Sequence, residues 1–109
     1  MTSIQSLRER FSRDPLPLQW GGIASDLLRL SSMAHAEKAD VAGLQNVLTE
    51  TKFFTEWLAP QVDLKNQEAI LSLQRTLASF SSAQIDLEEF QAKTREWSDK
   101  ILHISGLAA

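Results

Sequence analysis

Residues 23–48, IASDLLRLSSMAHAEKADVAGLQNVL, decide the fold. Ile23, Leu27, Leu30 and Ala34 draw an apolar stripe at helical spacing, and heptad steps carry it through Glu37 to Val41, Leu44 and Leu48. No Pro or Gly falls between Gly22 and Gly43. Read as one element, Leu18 to Ala59 would be a helix of roughly 60 Å, at about 1.5 Å per residue. Asp40 has the chemistry of an N-cap, Gly43 follows it, and Ser31, Ser32, His35, Glu37 and Lys38 make the middle polar. A helix that long is also rare in a chain of this size. The reading adopted is therefore two helices joined by a turn near Glu37 to Asp40. The alternative is one long helix over 18–59 plus a helical hairpin, completed by dimerisation.

Toward the C-terminus the pattern is unambiguous. Leu87, Phe90, Thr94, Trp97, Ile101, Ile104 and Ala108 follow a 3-4 spacing along one face. Asp86 is placed as an N-cap with Glu89 as capping-box partner, Ile85 and Phe90 as a hydrophobic staple, and Gly106 as a left-handed stop. Such a helix does not survive alone. Burying each large apolar side chain gives roughly 1.5–3 kcal/mol, and ordering each backbone residue costs about 1–2 kcal/mol. The preceding helix begins after Pro60 with Asp63 as N-cap and carries Ile70, Leu73, Leu77 and Phe80, with Leu71 and Ala78 widening the stripe. The connection Ser81 to Ile85 is too short to return the chain to the far end, so these two helices form an antiparallel hairpin.

The expected fold is thus all-α: an antiparallel up-down four-helix bundle with helices near 18–36, 40–59, 63–81 and 86–105. Residues 1–14 form a short amphipathic helical arm, and residues 15–109 form a single bundle domain. Pro15, Leu16 and Pro17 read as an extended spacer behind the arm, and Gly21 with Gly22 as a tight turn leading into the next helix.

Composition narrows the function classes. With 109 residues, 43% hydrophobic and 23% charged, the chain is an ordinary globular domain. No cysteine is present, which excludes disulfides, thiolate nucleophiles and zinc–thiolate sites and fits a cytoplasmic setting. Neither a signal-peptide core nor an eighteen-residue apolar run occurs, so stable membrane insertion is not expected. The net charge of −3 argues against nucleic-acid binding. Charge is uneven, because Arg8, Arg10 and Arg13 against Glu9 make residues 1–13 the one basic stretch.

Catalytic motifs are missing. His35 and His103 lack the Glu-x-x-His spacing of carboxylate-bridged metal bundles, and Asp99 with His103 reads as an ordinary helical pair. The carboxylates, Asp26 and Glu50 included, are scattered singly and read as solvated or capping groups. No serine elbow or phosphate loop is present. No catalytic residue, metal ligand or cofactor is assigned.

The aromatic residues carry what functional signal there is. Phe53 and Phe54 point about 100° apart on a helix, so Phe53 aligns with Trp57 and Phe54 with Leu58. Two apolar rows on one helix exceed the need of a single seam, and the arm adds the stripe Ile4, Leu7 and Phe11. The expected function is a non-catalytic protein-interaction or self-association module using Leu7, Arg10, Phe11, Phe53 and Trp57. Its expected partner is a second copy, as a homodimer, or another protein. The alternative is a small-molecule sensor or carrier whose core pocket is lined by Trp20, Trp57 and Trp97.

Overall fold

The structure, a computed structural model, describes residues 3–35, 40–80 and 85–106. These form five α-helices and, among the described residues, no strand: α1 (Ile4–Arg13), α2 (Leu16–His35), α3 (Val41–Leu58), α4 (Leu64–Ser79) and α5 (Leu87–Ser105), with a 3-10 turn at Ala59–Gln61 between α3 and α4. The largest dimension is 37 Å, too short for a helix of roughly 60 Å. Among the described residues α2 extends to His35, and Asp40 starts α3 by accepting a hydrogen bond from the Gly43 amide at 3.0 Å. The two-helix reading therefore holds, and the residues 36–39 of the expected turn lie outside the described ones.

Helix starts follow local chemistry. Ser3, Asp63 and Asp86 accept from the backbone amides of Ser6, Asn66, and Glu88 with Glu89 respectively. Each thereby satisfies a donor the first turn cannot use internally. Gly106 closes α5 at φ 78°, the left-handed conformation that a residue without Cβ adopts freely. The start of α2 differs from expectation. Leu16 and Pro17 are already helical, with the Pro15 carbonyl accepting from the Leu18 and Gln19 amides at 2.9 and 3.1 Å. Proline's fixed φ suits a first turn, and its missing N–H is one that a first turn leaves unused. Gly21 and Gly22 are consequently helical residues inside α2 rather than a turn leading into it.

Helices α2, α3, α4 and α5 make the up-down bundle. The closest-packed pair is α2 with α5, followed by α2 with α3. Small residues explain the first: Ser98 Oγ donates to the Ala24 carbonyl at 2.8 Å and Ser31 Oγ to the Gln91 carbonyl at 3.1 Å. These two contacts run in opposite senses along the two helices, which fixes them antiparallel. With Thr94 also on the seam and bonded to the Phe90 carbonyl, the backbones approach closely and every hydroxyl there is satisfied. Ile23, Leu27, Leu30, Leu44, Leu48, Leu58, Ile70, Leu73, Leu77, Phe90 and Ile101 are fully buried in one core.

The hairpin of α4 and α5 is antiparallel and held at its closed end by Phe80 and Phe90, whose rings meet edge to face at 4.9 Å. Farther along the two helices part, leaving a groove. Ser81 to Gln84 of the connecting segment lie outside the described residues, as does Ala108 of the α5 stripe. Leu71 and Ala78 do not widen the buried stripe of α4: both are exposed. At about 100° per residue they fall on the side of α4 turned away from Ile70, Leu73 and Leu77. Among the described residues no helix is long and apolar enough to cross a membrane.

Candidate interaction surface

The arm docks on the bundle chiefly through one side chain. Phe11 is buried and lies stacked on Phe54 of α3, with ring centroids 4.4 Å apart and planes 12° from parallel. The other side of its contact is Gly22 of α2, where an added Cβ would stand 4.0 Å from Phe11 Cε1. Leu7 is half-buried beside the core, whereas Ile4 stays 52% exposed. Phe11 fits because α2 presents no side chain at Gly22 and α3 presents a flat ring.

On α3 the two aromatic rows separate as their spacing requires. Phe54 and Leu58 are buried. Phe53 and Trp57 remain half-buried and stack on each other at 5.5 Å and 20°. Trp57 also meets the Phe11 ring at 6.0 Å and the Phe54 ring at 5.9 Å, so four rings from two helices form one cluster. Next to it Leu7, Arg10, Phe11, Asp14, Leu18, Gly22 and Phe54 line a shallow recess of about 210 Å³. The residues singled out in the arm and on α3, Leu7, Arg10, Phe11, Phe53 and Trp57, therefore lie together around one α1–α3 seam. Leu18, half exposed at the rim beside Leu7, was not among them. Among the described residues no ion pair engages Arg8, Arg10 or Arg13.

The three tryptophans do not converge. Trp20 is buried in α2, Trp57 belongs to the seam, and Trp97 borders the groove between α4 and α5 with Lys100 Nζ 4.7 Å from its ring centre. That groove holds about 600 Å³ between Glu68, Ala69 and Ser72 on one side and Trp97, Lys100, His103 and Ile104 on the other.

The titratable groups offer one unforeseen pair. Asp26 of α2 and Glu50 of α3 share a hydrogen bond across the helix interface, with Thr51 Oγ1 3.5 Å from Asp26 Oδ2. Burial, the hydrogen bond with Glu50 and the negative charge of Glu50 push the Asp26 carboxyl from 3.8 up to about 8, against the opposing pull of Arg29. Neither carboxylate lines the seam recess or the α4–α5 groove. His103 is exposed and turns Nδ1 to the Asp99 backbone carbonyl at 2.9 Å instead of to the carboxylate. Among the described residues no three His, Cys, Asp or Glu side chains are placed to hold a metal.

No protein-family model, curated protein or solved structure matches this chain.

Proposed function

We propose that this chain is a non-catalytic helical interaction module whose partner-binding surface is the α1–α3 seam. The observation that carries the reading is the partly buried Phe53–Trp57 stack, joined through Trp57 to Phe11 and Phe54, which line a recess with Leu7, Leu18 and Arg10. Aromatic side chains next to an arginine are the composition that anchors protein interfaces, because they bring large area at small entropic cost. The arginines of α1, which have no ion-pair partner among the described residues, favour a partner that sets an apolar segment among acidic residues. Three apolar side chains with Phe11 already buried are too few to anchor the arm in a membrane. A cytoplasmic location suits a chain with no cysteine.

The test is comparative capture with the wild type and with Leu7→Asp combined with Arg10→Glu. The reading requires a stoichiometric partner that the wild type retains and the double variant loses. Identical captured sets from both proteins would remove it.

A second reading, a small-molecule carrier, rests on the α4–α5 groove, whose volume of about 600 Å³ falls in the usual range for ligand sites. Trp97 is its reporter. Quenching or enhancement of Trp97 emission by amphipathic aromatic compounds, abolished by Ala69→Trp, supports it; an unresponsive emission removes it.

A further inference from the structure

Helix α4 turns a second patterned face outward. Leu64, Glu68, Leu71, Arg75 and Ala78 follow a 4-3-4-3 spacing, which sets them in one row along the helix. That row lies about 150° around the helix axis, at 100° per residue, from the stripe Ile70, Leu73 and Leu77 that enters the core. Leu64 is 85% exposed and Leu71 49% exposed, so among the described residues the first is left almost bare and the second half covered. Between the two leucines and Ala78, Glu68 and Arg75 stand in the same row and pair at 3.2 Å while their side chains remain 80% and 71% exposed. Beside the row a recess of about 310 Å³ opens between Leu71, Gln74, Arg75 and Ala78.

The row is its own complement. Placed against an identical helix in the opposite direction, with Leu71 facing Leu71, it sets Leu64 opposite Ala78 at both ends. The large side chain then meets the small one, next to the recess that has room for it. The same register brings Glu68 of each helix within one residue of the position opposite Arg75 of the other. A parallel arrangement would place Glu68 against Glu68 and Arg75 against Arg75, so charge selects the antiparallel one. A partner of a single charge sign would satisfy half the row and be repelled by the other half. We propose that a second copy of this chain covers the outward face of α4, the two α4 helices crossing a twofold axis antiparallel with Leu71 at the axis. The contact is isologous and therefore closes at two copies. It uses a face other than the α1–α3 seam and does not depend on the function proposed above.

The experiment is light scattering combined with sedimentation, from micromolar to millimolar chain concentration. The wild type is expected to rise from 12.2 kDa to twice that mass. Leu71→Glu, which brings two carboxylates together at the axis, is expected to raise the dissociation constant about a hundredfold or more, with the helical circular dichroism unchanged. Glu68→Lys alone and Arg75→Glu alone each weaken association about tenfold, and mixing the two variants restores it as a heterodimer. Leu71→Cys, in a chain with no cysteine of its own, oxidises to a linked dimer, whereas Val41→Cys on the exposed start of α3 does not. A wild type that stays at 12.2 kDa throughout overturns the proposal. So does a Leu71→Glu variant that dimerises as the wild type does, or a mixture no heavier than its components. Leu7→Asp with Arg10→Glu, which disables the α1–α3 seam, leaves the dimer mass unchanged and so separates the two readings.

Discussion

The ring of Phe11 lies flat against that of Phe54, 4.4 Å away, and this stack is the arm's main anchor on the bundle. Because α1 otherwise offers only a half-buried Leu7 and an exposed Ile4, the arm's position depends on Phe11. Phe11→Ala is expected to cost about 3 kcal/mol, the low end for a buried phenylalanine, and to remove hydrogen-exchange protection from the amides of α1. Ile4→Ala should change stability by no more than about 0.5 kcal/mol. Equal costs for the two variants in urea denaturation would mean that the arm is not held there.

Ser98 tests the closeness of α2 and α5. Its hydroxyl is bonded to the Ala24 carbonyl and the side chain is 2% exposed. Ser98→Ala loses one buried hydrogen bond, worth about 1 kcal/mol. Ser98→Leu forces the helices apart and should cost roughly 1–3 kcal/mol beyond that. If leucine were tolerated as well as alanine in chemical unfolding, the tight seam would be wrong.

The Asp26–Glu50 pair sets an unusual pH dependence. The Asp26 carboxyl is raised from 3.8 unfolded to about 8 folded, so the folded state holds a proton that the unfolded chain releases through this interval. Stability therefore falls as pH rises from about 4 to about 8, opposite to a carboxylate held in a salt bridge. Asp26→Asn keeps a neutral hydrogen-bonding group at the interface and should flatten that part of the profile. Melting temperatures measured across the interval check it. A wild-type curve that climbs over this range, or one that Asp26→Asn leaves unaltered, contradicts the assignment.

What the sequence made legible was what local chemistry decides. Asp40, Asp63 and Asp86 announce helix starts because a carboxylate one residue ahead of an apolar stripe has amides to bond, and Gly106 announces a stop for the complementary reason. The division of Phe53 from Phe54 followed from helical rotation alone. Contacts that depend on which helices become neighbours were hidden. Ser98 with Ala24 requires α5 beside α2, and Asp26 with Glu50 requires the α2–α3 register. The amide pair of buried Gln19 and exposed Gln61, at 2.9 Å, needs the start of α2 to meet the turn after α3. Pro17 and the two glycines suggested interruption, yet in the first turns of α2 neither residue type interrupts a helix. Leu71 was assigned inward because apolar character does not reveal which of two helix faces the core occupies.

The fold-back of α3 onto α2 underlies the sealed core, the seam and the free face of α4 alike. Spin labels on Leu18→Cys and Glu56→Cys measure it directly by electron–electron distance, since both positions are exposed and the chain has no competing cysteine. Folded back, antiparallel axes lie about 10 Å apart, and with the label arms the distance should be within about 25 Å. A distance near 57 Å, the length of 38 helical residues at about 1.5 Å each, would contradict the bundle.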